Sequence, residues 1–284
     1  MPLFRKTILI IFTAGVLISS LVIAQPYDPN ETFNSTIQFN KVSTGSDTLN
    51  YAFSGDPVKP GILFIHGTPG VWSAFGRYLS YKELQKDFFM VSVDRLGWGN
   101  STLDKKQIDG DFIRQANTIA QVFKQYPNKK WIVVGHSLGA SIAPKVALAA
   151  PESVAALLLL AGSLKPSLGN PRWYNYAAST WFVGWFLSDY MKNSNKEIMA
   201  LRKQLKLMDK EIKNTHLSTH LVIMQGMKDK LVSPKNPDYV ASDWQQHFSS
   251  TEIIKLPESG HFLPWNQTPL VITTIRGLAN KAEL

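Results

Sequence analysis

The chain reads as an α/β protein with a mostly parallel sheet covered by helices on both faces. Three observations predict this. Six short, near-continuous apolar runs follow residue 60, each five to eight residues long, as suits strands buried on both sides. Helical stretches separate several of these runs, which implies right-handed crossovers and parallel neighbours. Glycine-containing turns close several of the runs, and ligands bind at the carboxyl ends of the strands in an open α/β sheet.

The N-terminus stands apart. Arg5 and Lys6 precede an uncharged run of 18 residues, Thr7 to Ala24. That length is near the lower limit for crossing a bilayer and long for the apolar part of a signal peptide. Val22 and Ala24 form a small-residue cleavage pattern before Gln25. Residues 1–25 are thus expected to be a signal anchor, with a cleaved signal peptide as the alternative. Both fates keep the positive charge inside and the rest of the chain outside the cytoplasm, periplasmic or on the outer face. Residues 26–36 form a polar linker broken by Pro26 and Pro29.

The remaining elements follow in order. Ile37 to Val42 and Thr48 to Phe53 alternate apolar and polar residues around Gly45-Ser46-Asp47, which predicts an antiparallel opening hairpin. The buried runs are Gly61–His66, Phe88–Asp94, Trp131–Gly135, Val154–Ala161, His220–Gln225 and Thr251–Leu256. Helices are expected over Phe112–Tyr126, Leu138–Ala149 and Thr268–Lys281. The gap between the fourth and fifth buried runs is too long for a simple link and predicts a helical cap over about residues 163–219. Its first half is aromatic, with Trp173, Tyr174, Tyr176, Trp181, Phe182, Trp185, Phe186 and Tyr190. Its second half, Asn195 to Asn214, reads as a charged helix. The rings suit either an apolar acyl or aryl group of a substrate, or the packing of a short cap on the core.

Composition narrows the function. The chain is 44% hydrophobic and 18% charged, ordinary for a globular domain. Its formal charge of +9 suits anionic surfaces, but no basic–aromatic nucleic-acid motif is present, so no nucleic-acid partner is expected. A weak preference for anionic lipid headgroups fits the N-terminal segment. The absence of cysteine excludes disulfides, thiolate metal sites and cysteine nucleophiles.

Gly135-His-Ser-Leu-Gly139 joins a strand directly to a helix. A nucleophile on so tight a turn has strained backbone angles, and the flanking glycines leave room for it. Ser137 Oγ is expected above the sheet edge, with the N–H groups at the start of the Leu138 helix facing a developing oxyanion. The N–H of Thr68, in His66-Gly-Thr-Pro-Gly70, is the expected second oxyanion donor, opposite that of Leu138. A serine hydroxyl needs a base. His66 and His136 sit inside turns and are expected to shape them, His216 and His220 flank the return from the cap, and His247 lies in a helical stretch. His261, in the loop after the last strand, can swing over Ser137. Asp229, just past the fifth buried run, is the carboxylate that orients it. The neighbouring strand end, Gly162 to Asn170, holds no Asp or Glu. This chemistry requires no metal and no organic cofactor.

From about residue 37 onward the chain resembles the α/β-hydrolase superfamily, in the branch with a His-Gly-x-Pro-Gly turn. The matching pieces are His66–Gly70, Asp94-Arg-Leu-Gly-Trp-Gly-Asn-Ser101, Gly135–Gly139, Gly226-x-x-Asp229 and Gly260-His261. The resemblance implies an eight-stranded-type sheet with a short cap, and the chain order Ser137, Asp229, His261 is the one it implies. It makes Asp94 to Ser101 a structural turn supporting the oxyanion loop, so Asp94 is not assigned a catalytic role. Its dehalogenase and epoxide-hydrolase branches use an aspartate nucleophile, against which Ser137 argues. Many relatives carry an acid shortly after the histidine, where this chain has Asn266 followed by Pro269. The implied activity is hydrolysis of a small-molecule carboxylic ester, lipid-like given the anchor, through an acyl-serine. Peptidase, lactonase, carbon–carbon hydrolase and haloperoxidase-like chemistry are the alternatives, with a non-catalytic binding module behind them.

Overall fold

The computed structural model describes residues 36–103 and 110–284. The expected anchor, residues 1–25, and nearly all of the linker lie outside the described residues. Within them, no helix is long and apolar enough to cross a membrane.

The strands are β1 (Gln38–Thr44), β2 (Asp47–Ser54), β3 (Gly61–Ile65), β4 (Phe89–Val93), β5 (Trp131–His136), β6 (Val154–Leu160), β7 (Leu217–Gly226) and β8 (Phe248–Leu256). They form one eight-stranded sheet in the order β1-β2-β4-β3-β5-β6-β7-β8. β1 and β2 are the expected hairpin, with Gln38 opposite Phe53 and Thr44 opposite Asp47. β2 runs antiparallel to β4, and every pairing from β4 through β8 is parallel.

The continuous apolar runs have the expected cause. All five residues of β3 and all five of β4 are buried, because helices cover both faces. Alternate side chains therefore enter different cores. Leu63 and Ile65 join Ile119, Val146 and Leu205 on one side, while Ile62 and Phe64 join Tyr78, Val271 and Ile275 on the other.

Three element starts precede expectation by three residues or more, the first being β8 at Phe248 in place of Thr251. β7 begins at Leu217, before the apolar run, because Leu217 and Thr219 are buried while Ser218 between them is exposed. The cap helix begins at Asp189, six residues before Asn195, where Ser188 accepts a hydrogen bond from the Met191 N–H at 3.3 Å. This helix, Asp189–Lys213, buries Ser194, Glu197, Leu201, Leu205, Met208 and Ile212, a stripe at helical spacing. In the aromatic half of the cap, with short helices Trp173–Ala178 and Trp181–Gly184, no residue from Trp173 to Tyr190 is buried, and Tyr190 sets its ring against that of the buried Trp98 at 4.8 Å.

Candidate active site

The parallel strands deliver all the expected residues to one edge of the sheet. Thr68 follows β3, Ser137 follows β5, Asp229 follows β7 and His261 follows β8. Ser137 caps the start of the helix Leu138–Ala149 with φ 55° and ψ −119°. A serine in that region is held against a local cost of about 1–3 kcal/mol. The surroundings impose it. Ser137 N–H donates to Leu160 O at 2.9 Å and Ser137 O accepts from Ser141 N–H at 3.2 Å. The strand and helix meet so closely that a Cβ on Gly139 would lie 2.1 Å from Ile65 O, and one on Gly135 would lie 2.5 Å from Gly139 O. Ser137 itself is the one partly exposed residue among buried neighbours from Trp131 to Val146.

His261 and Asp229 are joined, Nδ1 to Oδ2, at 2.8 Å. The loops that carry them touch, since a Cβ on Gly226 would lie 2.2 Å from Gly260 O. Asp229 Oδ1 accepts the N–H groups of Leu231 and Val232 at 2.8 and 2.9 Å, and its Oδ2 also accepts Gln225 Nε2 at 3.1 Å. Burial pushes the Asp229 pKa up, but the bond and charge of His261 and the two backbone N–H groups outweigh it and hold it below the usual value. Ser137 Oγ makes no hydrogen bond to His261 among the described residues; such bonds commonly tighten only with substrate. The residue beside it supplies a link instead. His136 Nε2 donates to His261 O at 3.0 Å, and the two rings are 4.8 Å apart. Burial, then the neighbouring His261, lowers the His136 pKa to about 3, so His136 is a neutral support.

The turn after β3 abuts Ser137, because a Cβ on Gly67 would lie 3.0 Å from Ser137 Cβ. Arg95 fixes this turn. Its Nε donates to His66 O at 3.0 Å and its Nη2 to Gly67 O at 2.8 Å. His66 Nδ1 reaches the same Gly67 carbonyl at 2.7 Å, while its Nε2 accepts the Arg95 N–H at 3.0 Å. Burial and then the Arg95 charge hold the His66 pKa well below its ordinary value. A trans peptide plane sends its C=O and N–H in opposite directions. Pinning the Gly67 carbonyl therefore aims the Thr68 N–H away from Arg95. Leu138, as first residue of its helix, has an N–H without an intrahelical acceptor. Asp94 is structural as implied: its carboxylate accepts the Trp72 and Asn100 N–H groups and Asn50 Nδ2 at 2.7–2.9 Å. The segment around Asn266 is tied down by Tyr78 Oη, which donates to Pro264 O at 2.5 Å.

Sequence reasoning assigned no role to Arg95, Glu197 or Gln225. Arg95 is fully buried and pairs with Glu197 of the cap helix at 2.5 and 3.1 Å; Glu197 also accepts Trp98 Nε1 at 3.2 Å. The cap thus holds the 66–70 turn through one buried ion pair. A signal existed: Glu197 falls in register with Leu201 and Leu205, and a charge on an apolar stripe calls for a buried partner. Among the described residues, no group of three or more His, Asp or Glu side chains could hold a metal.

A family model of the α/β-hydrolase fold matches residues 60–190. Epoxide hydrolase 4 of Mus musculus is 25% identical over 112 residues, which cover 39% of this chain and 31% of that protein. A 1-acylglycerol-3-phosphate O-acyltransferase of Arabidopsis thaliana is 26% identical over 152 residues, covering 50% of this chain and 35% of that protein. The chain spans well under half the length of these relatives. Among solved structures, Cfl2 of Burkholderia cenocepacia superposes with a TM-score of 0.68 at 19% identity, over 89% of this chain and 99% of that one. A laboratory-evolved variant of potato epoxide hydrolase gives 0.67 at 16% identity, over 86% and 99%. The thioesterase domain of the curacin biosynthetic pathway gives 0.63 at 16% identity, over 85% and 99%. The protein has the α/β-hydrolase fold.

Proposed function

We propose that the protein is a serine hydrolase of carboxylic esters, acting through an acyl-serine intermediate. The observation that carries this reading is Ser137 itself: a serine at positive φ on the elbow, against the 66–70 turn, at the same sheet edge as the bonded Asp229–His261 pair. In this reading His261 takes the Ser137 proton as Oγ attacks the ester carbonyl. The N–H groups of Thr68 and Leu138 receive the oxyanion, each worth on the order of 10²–10³ in rate. His261 protonates the departing alcohol, then activates the water that releases the acid. Asp229 holds the imidazole tautomer throughout.

Several of the similar proteins are named as epoxide hydrolases, so epoxide opening is the second reading. Serine disfavours it on chemical grounds. Attack by serine on an epoxide leaves an ether, which has no carbonyl for water to attack, whereas an acyl-serine ester has one. The substrate is read as lipid-like and the protein as extracytoplasmic, tethered by residues 1–25, on the strength of the uncharged run Thr7–Ala24. Carbonate-resistant membrane association of the full chain tests the tether.

The reading is tested with p-nitrophenyl esters of increasing acyl length, comparing the full chain with Ser137→Ala. Turnover that falls by several orders of magnitude in the variant supports it. Equal rates in both proteins, or turnover of styrene oxide without ester turnover, reject it.

A further inference from the structure

The outer surface of the cap is unlike the rest of the molecule. Trp173, Tyr176, Trp181, Phe182, Trp185 and Phe186 are each more than half exposed, from 53% at Phe182 to 82% at Trp181. Scattered exposed apolar residues need no explanation, but four of these rings are contiguous. Trp181 and Phe182 lie 5.8 Å apart, Phe182 and Phe186 5.8 Å, and Trp185 and Phe186 5.6 Å.

A second feature adjoins the first. On the cap helix, Lys192, Lys196, Lys203, Lys206 and Lys210 recur at helical spacing and share the face opposite the buried stripe. Lys196, Lys203, Lys206 and Lys210 pair with no acid among the described residues. Asn195, about 60° around the axis from the centre of this row, binds the aromatic segment. It accepts from Asn175 Nδ2 at 2.9 Å and donates to Asn175 O and Ser179 Oγ at 3.0 and 2.9 Å. The aromatic patch therefore meets the lysine row at its Lys192–Lys196 end, and the row runs on along the same helix.

We propose that this surface docks on an anionic lipid bilayer, with the Trp173–Tyr190 segment entering the interface and the lysine row lying against the headgroups. Tryptophan and tyrosine have an apolar body and a polar edge, which suits the headgroup level, and a basic polar face beside them draws anionic lipid. A second copy of the chain fits poorly. A two-fold contact through the same surface would set the unpaired lysines of one molecule against those of the other. The proposal goes beyond the ester-hydrolase reading and stands without it.

Tryptophan fluorescence of the full chain tests it. Residues 1–35 contain no tryptophan, so the emission does not report the N-terminal segment. Trp98, Trp131 and Trp244 are buried in the core and Trp72 and Trp265 lie outside the cap, so the cap's share of a change is the part lost when the cap tryptophans are replaced. The full chain is reconstituted with vesicles of phosphatidylcholine alone, or with a quarter phosphatidylglycerol, with and without brominated lipid. The expected result is a blue shift and at least twofold quenching by brominated lipid in the anionic vesicles. Trp173→Ser, Trp181→Ser and Trp185→Ser together abolish the response. Charge reversal of Lys196, Lys203, Lys206 and Lys210 to glutamate weakens it, as does added salt. Emission that stays unquenched in anionic vesicles overturns the proposal. So does equal quenching in neutral vesicles, undiminished quenching in the tryptophan variant, or crosslinking of two caps without lipid quenching. No readout uses ester turnover, so failure here and failure of the esterase reading are told apart.

Discussion

The carboxyl edge of the sheet and the outer half of the cap use their side chains in opposite ways. At the edge, charged and polar groups are buried and matched: Arg95 with Glu197 and two carbonyls, Asp229 with His261, Gln225 and two N–H groups. In the outer cap, large apolar rings face outward and nothing from Trp173 to Tyr190 is buried. The difference teaches where a substitution is felt. A buried polar group that loses its partner carries the full desolvation cost, whereas an exposed ring that is removed leaves the fold alone.

Four probes sharpen this contrast, from the largest effect down. Asp229→Asn keeps the shape of the edge but favours the wrong His261 tautomer. It is expected to lower kcat on p-nitrophenyl esters about 10⁴-fold. Glu197→Ala leaves the Arg95 charge buried and unpaired, and urea unfolding should show a loss of about 3–5 kcal/mol. Glu197→Gln keeps an acceptor for Arg95 and should lose less stability. Because Arg95 holds the Gly67 carbonyl, kcat per folded molecule should fall in both; unchanged kcat would count against an oxyanion role for the 66–70 turn.

Acid is the third probe. The His136 pKa is lowered from 6.5 to about 3 in the folded chain. Below pH 6.5 the unfolded state takes up a proton that the folded state refuses, so stability is complete above that value and declines until pH reaches about 3. At pH 4.5 this group alone costs about 3 kcal/mol, at about 1.4 kcal/mol per pKa unit. His66 adds in the same direction, and Asp229, held below 3.8, gives up its contribution only at still lower pH. A flat urea midpoint between pH 7 and 4.5 would contradict the buried neutral histidines. Smallest of all, Trp181→Ser should change unfolding free energy by no more than about 0.5 kcal/mol, since the ring is 82% exposed. A larger loss would mean the aromatic segment does support the core.

The comparison also separates what is legible in residues from what is not. The strands and the site's positions are legible because local chemistry dictates them. Continuous apolar runs mark strands covered on both faces, and Gly135 and Gly139 are needed where a Cβ would collide with backbone. The ladder from Glu197 through Arg95 to Gly67 is not legible in that way, because its two charges stand 102 residues apart and meet only through tertiary packing. The same holds for His136, whose role rests on the carbonyl of His261. In the cap, aromatic content was legible but its direction was not, since a ring's exposure depends on what lies over it.

The positive φ of Ser137 has one more consequence, which concerns time. Its conformational cost is met while the chain folds, and the surrounding contacts of Leu160, Ser141, Gly135 and Gly139 keep the turn in place afterward. The backbone of the elbow is thus in place before any ligand arrives. The strain of this turn is therefore carried by the folded chain itself and owes nothing to a later encounter.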